Sequence, residues 1–288
     1  MLGNQNILLL GAIAGFTIFL GLPIGRASGI DRRIKAALNS VAIGVLLFLL
    51  WDVLSQAVEP IEAALTAATE EHKDTWGEFT KLSVVAIAFF SAGLMSLVHF
   101  DGWMQARRHR HREFQHGADA SMLPKASAVR DSSTTQTTPA ELALMIATGI
   151  GLHNFSEGLA IGQSAASGKI GLALLLVIGF GLHNATEGFG IVAPLAGERR
   201  KPSWKFLGLL GLIGGGPTFL GTLIGQSVVN TTLSVGFLAA AAGSILFVVI
   251  ELLNINRHLG HRTLVAWCLI AGLLMGFATD FILIAAGA

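Results

Sequence analysis

The residues able to do chemistry cluster in two stretches of the 288-residue chain, GLHNFSEGLAI at 151–161 and GLHNATEGFGI at 181–191. They are one motif, GLHNxxEGxxI, written twice, with seven of eleven positions identical. His153 and Glu157, like His183 and Glu187, are four residues apart, so on a helix each pair projects from one face with Cβ atoms about 5 to 6 Å apart. Two such faces turned together offer two imidazoles and two carboxylates to one point. That donor set suits Zn²⁺ and also accepts Fe²⁺, Mn²⁺ or Cd²⁺, with discrimination left to geometry and availability. Asn154 and Asn184, one residue round the helix, can lend an amide oxygen to an adjacent ion or steady the histidines from behind.

Each motif sits in an apolar run, where ionised glutamates are costly, at about 2.5 to 3.5 kcal/mol each on the insertion scale. A dication offsets both charges at once. Single polar residues in membrane helices often serve only as hydrogen-bonding links between helices. Duplication of the whole set argues for a common ligand instead.

The elements that must position these groups follow from composition. The chain is 52% hydrophobic and 13% charged, with a mean hydropathy of +0.66, whereas an ordinary soluble domain is about 25% charged. Several apolar runs reach the roughly 20 residues that span hydrocarbon as a helix, and none alternates as barrel strands do. The expected class is an all-α integral membrane protein, one polytopic domain over 1–288. Eight segments are expected, near 5–24, 36–57, 80–101, 140–165, 170–195, 205–227, 233–254 and 262–286. Gly11/Gly15, Gly211/Gly215, Gly221/Gly225 and Gly272/Gly276 have the small-xxx-small spacing of close helix packing. The lone Cys268 excludes an intrachain disulfide.

Sixteen of the nineteen Lys and Arg residues fall in the connections after segments 1, 3, 5 and 7. By the positive-inside rule these connections are cytoplasmic, and with eight spans both termini face outward, as in a multi-pass protein of the cell membrane. A net charge of +1 gives no reason to expect a nucleic-acid partner. The connection at 102–139 carries Arg107, Arg108, His109, Arg110, His111 and Arg112, then a Ser/Thr-rich stretch whose low hydrophobicity predicts a flexible loop. Its histidines are weak candidate ligands on the cytoplasmic side, since the arginines beside them repel a cation, and contact with anionic lipid is the cheaper reading. Thr138, Pro139 and Glu141 predict a capping box opening segment 4. Segments 4 and 5 are joined by a short turn at 167–169, so the motifs lie on antiparallel neighbours near the bilayer midplane.

Eight spans, a long His-containing loop between segments 3 and 4, and HNxxEG in segments 4 and 5 resemble the ZIP family of divalent-metal transporters. The resemblance implies metal movement into the cytoplasm through a site between segments 4 and 5, and suggests a homodimer. It implies His153, Glu157, His183 and Glu187 as metal ligands, and Asn154 and Asn184 as residues lining an adjacent site. Segment 6, GGGPTFLG at 214–221, has no carboxylate where many two-metal members have a glutamate, so a mononuclear centre is expected. Three glycines before Pro217 predict a bend there.

Other polar residues are candidates along a path. Asp52, Ser55 and Glu59 stand toward the outer end of segment 2 as a possible entrance. Glu251, His99 and Asp101 stand near inner ends and, with His109 and His111, are possible exit groups. Asp280 is expected to bond between helices. The alternative from another class is an intramembrane zinc-dependent hydrolase, since a bound Zn²⁺ can activate water, although no HExxH occurs.

Overall fold

A computed structural model describes residues 4–27, 31–70, 76–119, 138–166, 170–198, 200–227 and 230–285. All regular structure among the described residues is helical: α1 (Asn4–Phe16), α2 (Arg32–Glu70), α3 (Trp76–Asp119), α4 (Pro139–Ala166), α5 (Ile170–Val192), α6 (Trp204–Gly225), α7 (Thr231–Leu259) and α8 (Arg262–Ala285). Short 3₁₀ turns at Thr17–Leu20 and Leu22–Arg26 continue α1, and another at Ala193–Leu195 ends α5.

Seven of these helical segments among the described residues are long and apolar enough to cross a membrane, as in a multi-pass membrane protein. The helix outside that set is α4, which carries the first motif. Its polar content has a structural reason: α4 packs against α1, α5, α6 and α7, so most of its surface faces protein. Lipid-facing helices are the opposite. Val84 and Ile87 of α3 and Leu274 and Phe281 of α8 are well exposed, an arrangement suited to hydrocarbon and adverse in water.

The packing falls into two groups of four. One joins α4, α6, α1 and α5; the other joins α2, α8, α7 and α3. They meet mainly where α4 touches α7 and where α2 and α8 touch α5. A core of Ile43, Leu46, Leu142, Ile146, Ile191 and Val248 runs across that junction.

The paired glycines work by close approach. A Cβ on Gly15 would meet the carbonyl oxygen of Gly215, one on Gly221 that of Phe155, and one on Gly272 that of Val41. Backbone rather than side chain therefore sets these helix separations.

Helix ends follow local chemistry. Thr138 and Glu141 form the expected capping box, with Thr138 N donating to Glu141 Oε2 at 3.0 Å and Glu141 N to Thr138 Oγ1 at 3.3 Å. Ser203 and Asn230 cap α6 and α7 through Phe206 N and Leu233 N. At the end of α7, Gly260 takes φ 82°, which glycine adopts without strain. Two helices outrun their expected ends. α2 continues to Glu70 through Pro60, so Glu59, Glu62 and Glu70 are helical, and α3 continues to Asp119 into the basic stretch expected to be loop. α6 runs from Trp204 to Gly225 with Pro217 inside it.

Candidate metal-binding site

The two motifs come together through α4 and α5, antiparallel and in contact as the short connection requires. His153, Asn154 and Glu157 of α4 and Asn184 and Glu187 of α5 are all buried, none more than 5% exposed. His153 Nε2 lies 3.2 Å from Glu157 Oε1 and 4.0 Å from Glu187 Oε1, so one imidazole stands between carboxylates from two helices. The side chain of His183 is outside the described residues.

The asparagines hold the frame. Asn154 Nδ2 donates to Glu187 Oε2 at 3.1 Å and to the carbonyl of Gly214 at 3.0 Å, linking α4 to both α5 and α6. Asn184 Nδ2 donates to the Ala14 carbonyl of α1 at 2.9 Å. The motif's glycines set the spacing: a Cβ on Gly158 would strike the Thr218 carbonyl of α6, and one on Gly188 the Ile18 carbonyl beside α1. Pro217 has no N–H to give the Ile213 carbonyl, and that oxygen faces Gly151 of α4. α6 thus meets the cluster through backbone, the Gly214 carbonyl bonded to Asn154.

Among the described residues, no three His, Cys, Asp or Glu side chains converge closely enough to chelate an ion by themselves. The atoms present nevertheless fit a divalent cation in kind. Among the described residues, Glu157 Oε2 and the Oδ1 atoms of Asn154 and Asn184 are buried without a hydrogen-bond partner. Unpaired buried oxygen carries a desolvation cost of about 1 to 3 kcal/mol, more when charged. Carboxylate and amide oxygens beside an imidazole are a donor set for borderline and hard dications.

The outer candidates divide. Asp52 of α2 is half-buried, accepts from Gln56 Nε2 at 2.9 Å, and lies within electrostatic range of His153 and Glu157. It also feels Asp280 of α8. Ser55 is exposed and its hydroxyl donates back to the Trp51 carbonyl at 2.9 Å, while Glu59 is exposed further along α2. Among the inner candidates, Glu251 of α7 and Asp101 of α3 interact electrostatically, and Glu251 also bonds with Asn254. His99 is exposed, with Nδ1 2.6 Å from the Met95 carbonyl. The side chains of His109 and His111 fall outside the described residues.

Two features lay beyond the reach of the motif reading. The Gly214 carbonyl is a backbone atom, invisible to any pattern of side chains. Asn39 and Ser40 are adjacent buried polar residues of α2, and Asn256 is a buried polar residue of α7; the Asn39-Ser40 pair at the start of an apolar run was the available signal.

Comparison with family models and with curated proteins gives no match.

Proposed function

We propose that the chain is a ZIP-type transporter that carries Zn²⁺ or a similar divalent cation into the cytoplasm by alternating access. In this reading α4 is an eighth span, shielded from lipid by its neighbours, and both termini face outward by the distribution of Lys and Arg. The observation that carries it is the meeting of His153, Glu157 and Glu187, from adjacent helices, in the buried middle of a multi-pass helical protein. Carriers hold substrate at such places, between helices near the midplane.

The chemistry follows from the groups. The cation is cargo, and it exchanges part of its hydration shell for the imidazole of His153, the carboxylates of Glu157 and Glu187, and His183 of the second motif. Two negative charges compensate a dication in low dielectric. Asn154 orients Glu187 through its amide hydrogen while keeping Oδ1 for the ion or its water. Asp52, in electrostatic range of the cluster, draws cations toward it from the outer side. Glu251 and Asp101 receive them on the inner side.

The test is Zn²⁺ entry into proteoliposomes holding a zinc-sensitive fluorophore, run beside a hydrolysis assay on the same preparation. Saturable Zn²⁺ entry without turnover supports transport. Metal-dependent hydrolysis with no entry supports the hydrolase and overturns the proposal.

A further inference from the structure

Among the described residues, the amide of Asn39 is a buried polar group that neither packing nor the central cluster explains. It is fully buried in α2, and neither Nδ2 nor Oδ1 has a hydrogen-bond partner. Leucine has the same branching at Cγ, though it is larger, and would leave no polar atom unpaired there.

Its place along α2 gives it a role. A Cβ on Gly190 of α5 would stand 3.8 Å from the Ala42 Cβ, so Ala42 faces α5 there. Asn39 is one helical turn before Ala42 on the same side of α2, and Glu187 is one turn before Gly190 on α5. The helices are antiparallel, so Asn39 lies on the seam between them, about 9 Å beyond Glu187 at 1.5 Å per residue. One further turn along α2, Lys35 Nζ meets Glu198 Oε1 at 2.6 Å where the chain leaves α5, at the end of the seam. Beside Asn39, Ser40 accepts a hydrogen bond from Asn256 Nδ2 of α7 at 2.9 Å, and the Asn256 Oδ1 is left buried without a partner.

We propose that Asn39, at the level of Ser40 and Asn256, is a transit site for the divalent cation on its way from the His153/Glu157/Glu187 cluster to the cytoplasm along the α2–α5 seam. This rests on the transport reading above. Neutral amide oxygens hold a dication weakly, which suits a position the ion must leave as readily as it enters. The carboxylate of Glu198, paired with Lys35, lies further along that line at the mouth.

The experiment is Zn²⁺ entry into proteoliposomes by the wild-type protein, Asn39→Leu and Asn39→Asp, with Zn²⁺ affinity and thermal unfolding measured in detergent. Asn39→Leu should lower the entry rate about tenfold, equivalent to about 1.4 kcal/mol on the barrier, with central-site affinity retained within about twofold and a cooperative thermal unfolding transition that shows the variant is folded. Asn39→Asp, which keeps oxygen at the seam, should keep most of the flux. If Asn39→Leu does not yield folded protein, Asn39→Ala removes the amide without added bulk and carries the same expectation. Wild-type flux with unchanged flux in Asn39→Leu or Asn39→Ala overturns this inference alone and leaves Asn39 as a water-bound buried amide. Absence of wild-type Zn²⁺ flux overturns the transport reading itself.

Discussion

Asn154 holds Glu187 across the α4–α5 interface, its Nδ2 3.1 Å from Glu187 Oε2, and with the same nitrogen reaches the Gly214 carbonyl at 3.0 Å. One side chain thereby fixes a candidate ligand and registers three helices. Asn154→Leu removes both bonds, so Zn²⁺ affinity should fall about tenfold or more, in line with about 1 to 3 kcal/mol for an unpaired buried group. Isothermal titration of the folded variant reads it. Unchanged affinity would reduce Asn154 to a packing residue.

The glycines of the motif predict a stability effect separable from ligation. In Gly158→Ala the new Cβ presses on the Thr218 carbonyl, a backbone atom with little freedom to move. Overpacking of this kind costs about 1 to 3 kcal/mol, so the unfolding temperature in detergent should drop. Gly77→Ala, where a Cβ meets nothing within 4 Å, should be neutral or slightly stabilising, since alanine favours helix over glycine by about 1 kcal/mol.

Binding of the cation should stabilise the fold by mass action, by about 2.7 kcal/mol at a free concentration a hundred times Kd. Adding Zn²⁺ to chelator-treated protein should therefore raise its unfolding temperature. The combined Glu157→Ala and Glu187→Ala variant should show almost none of that rise. An equal rise in the variant would place the stabilising ion elsewhere.

In the proposed transport reading Asp52 acts at a distance, so its removal should alter capture more than turnover. Asp52→Asn should raise the KM for Zn²⁺ entry several-fold at low ionic strength, and the difference should shrink as salt screens the field over about 8 to 10 Å. A loss confined to kcat and indifferent to salt would contradict a steering role.

The helical class, the antiparallel α4–α5 pair, the capping box at Thr138 and Glu141, and the close-packing glycines were legible in the sequence because each rests on local spacing. Hydrophobic run length marks a helix, four-residue spacing aligns His153 with Glu157, and a short connection forces neighbours. The ends of α2 and α3 were not legible: polar residues after 57 and 101 read as loop, yet a helix projecting past the hydrocarbon remains a helix when its residues favour that state. Nor could spacing reveal that α6 would serve the site through the Gly214 carbonyl, or that Lys35 and Glu198, 163 residues apart, would pair. Those depend on tertiary packing, which brings together residues that no local pattern connects.

The central claim is that Glu157 and Glu187 carry a divalent cation through the protein. Its most direct test is the initial rate of Zn²⁺ entry into proteoliposomes, comparing the wild-type protein with the combined Glu157→Ala and Glu187→Ala variant at equal amounts of folded protein. The account predicts saturable entry by the wild type and a rate at the level of empty liposomes for the variant. Equal entry by both would contradict it.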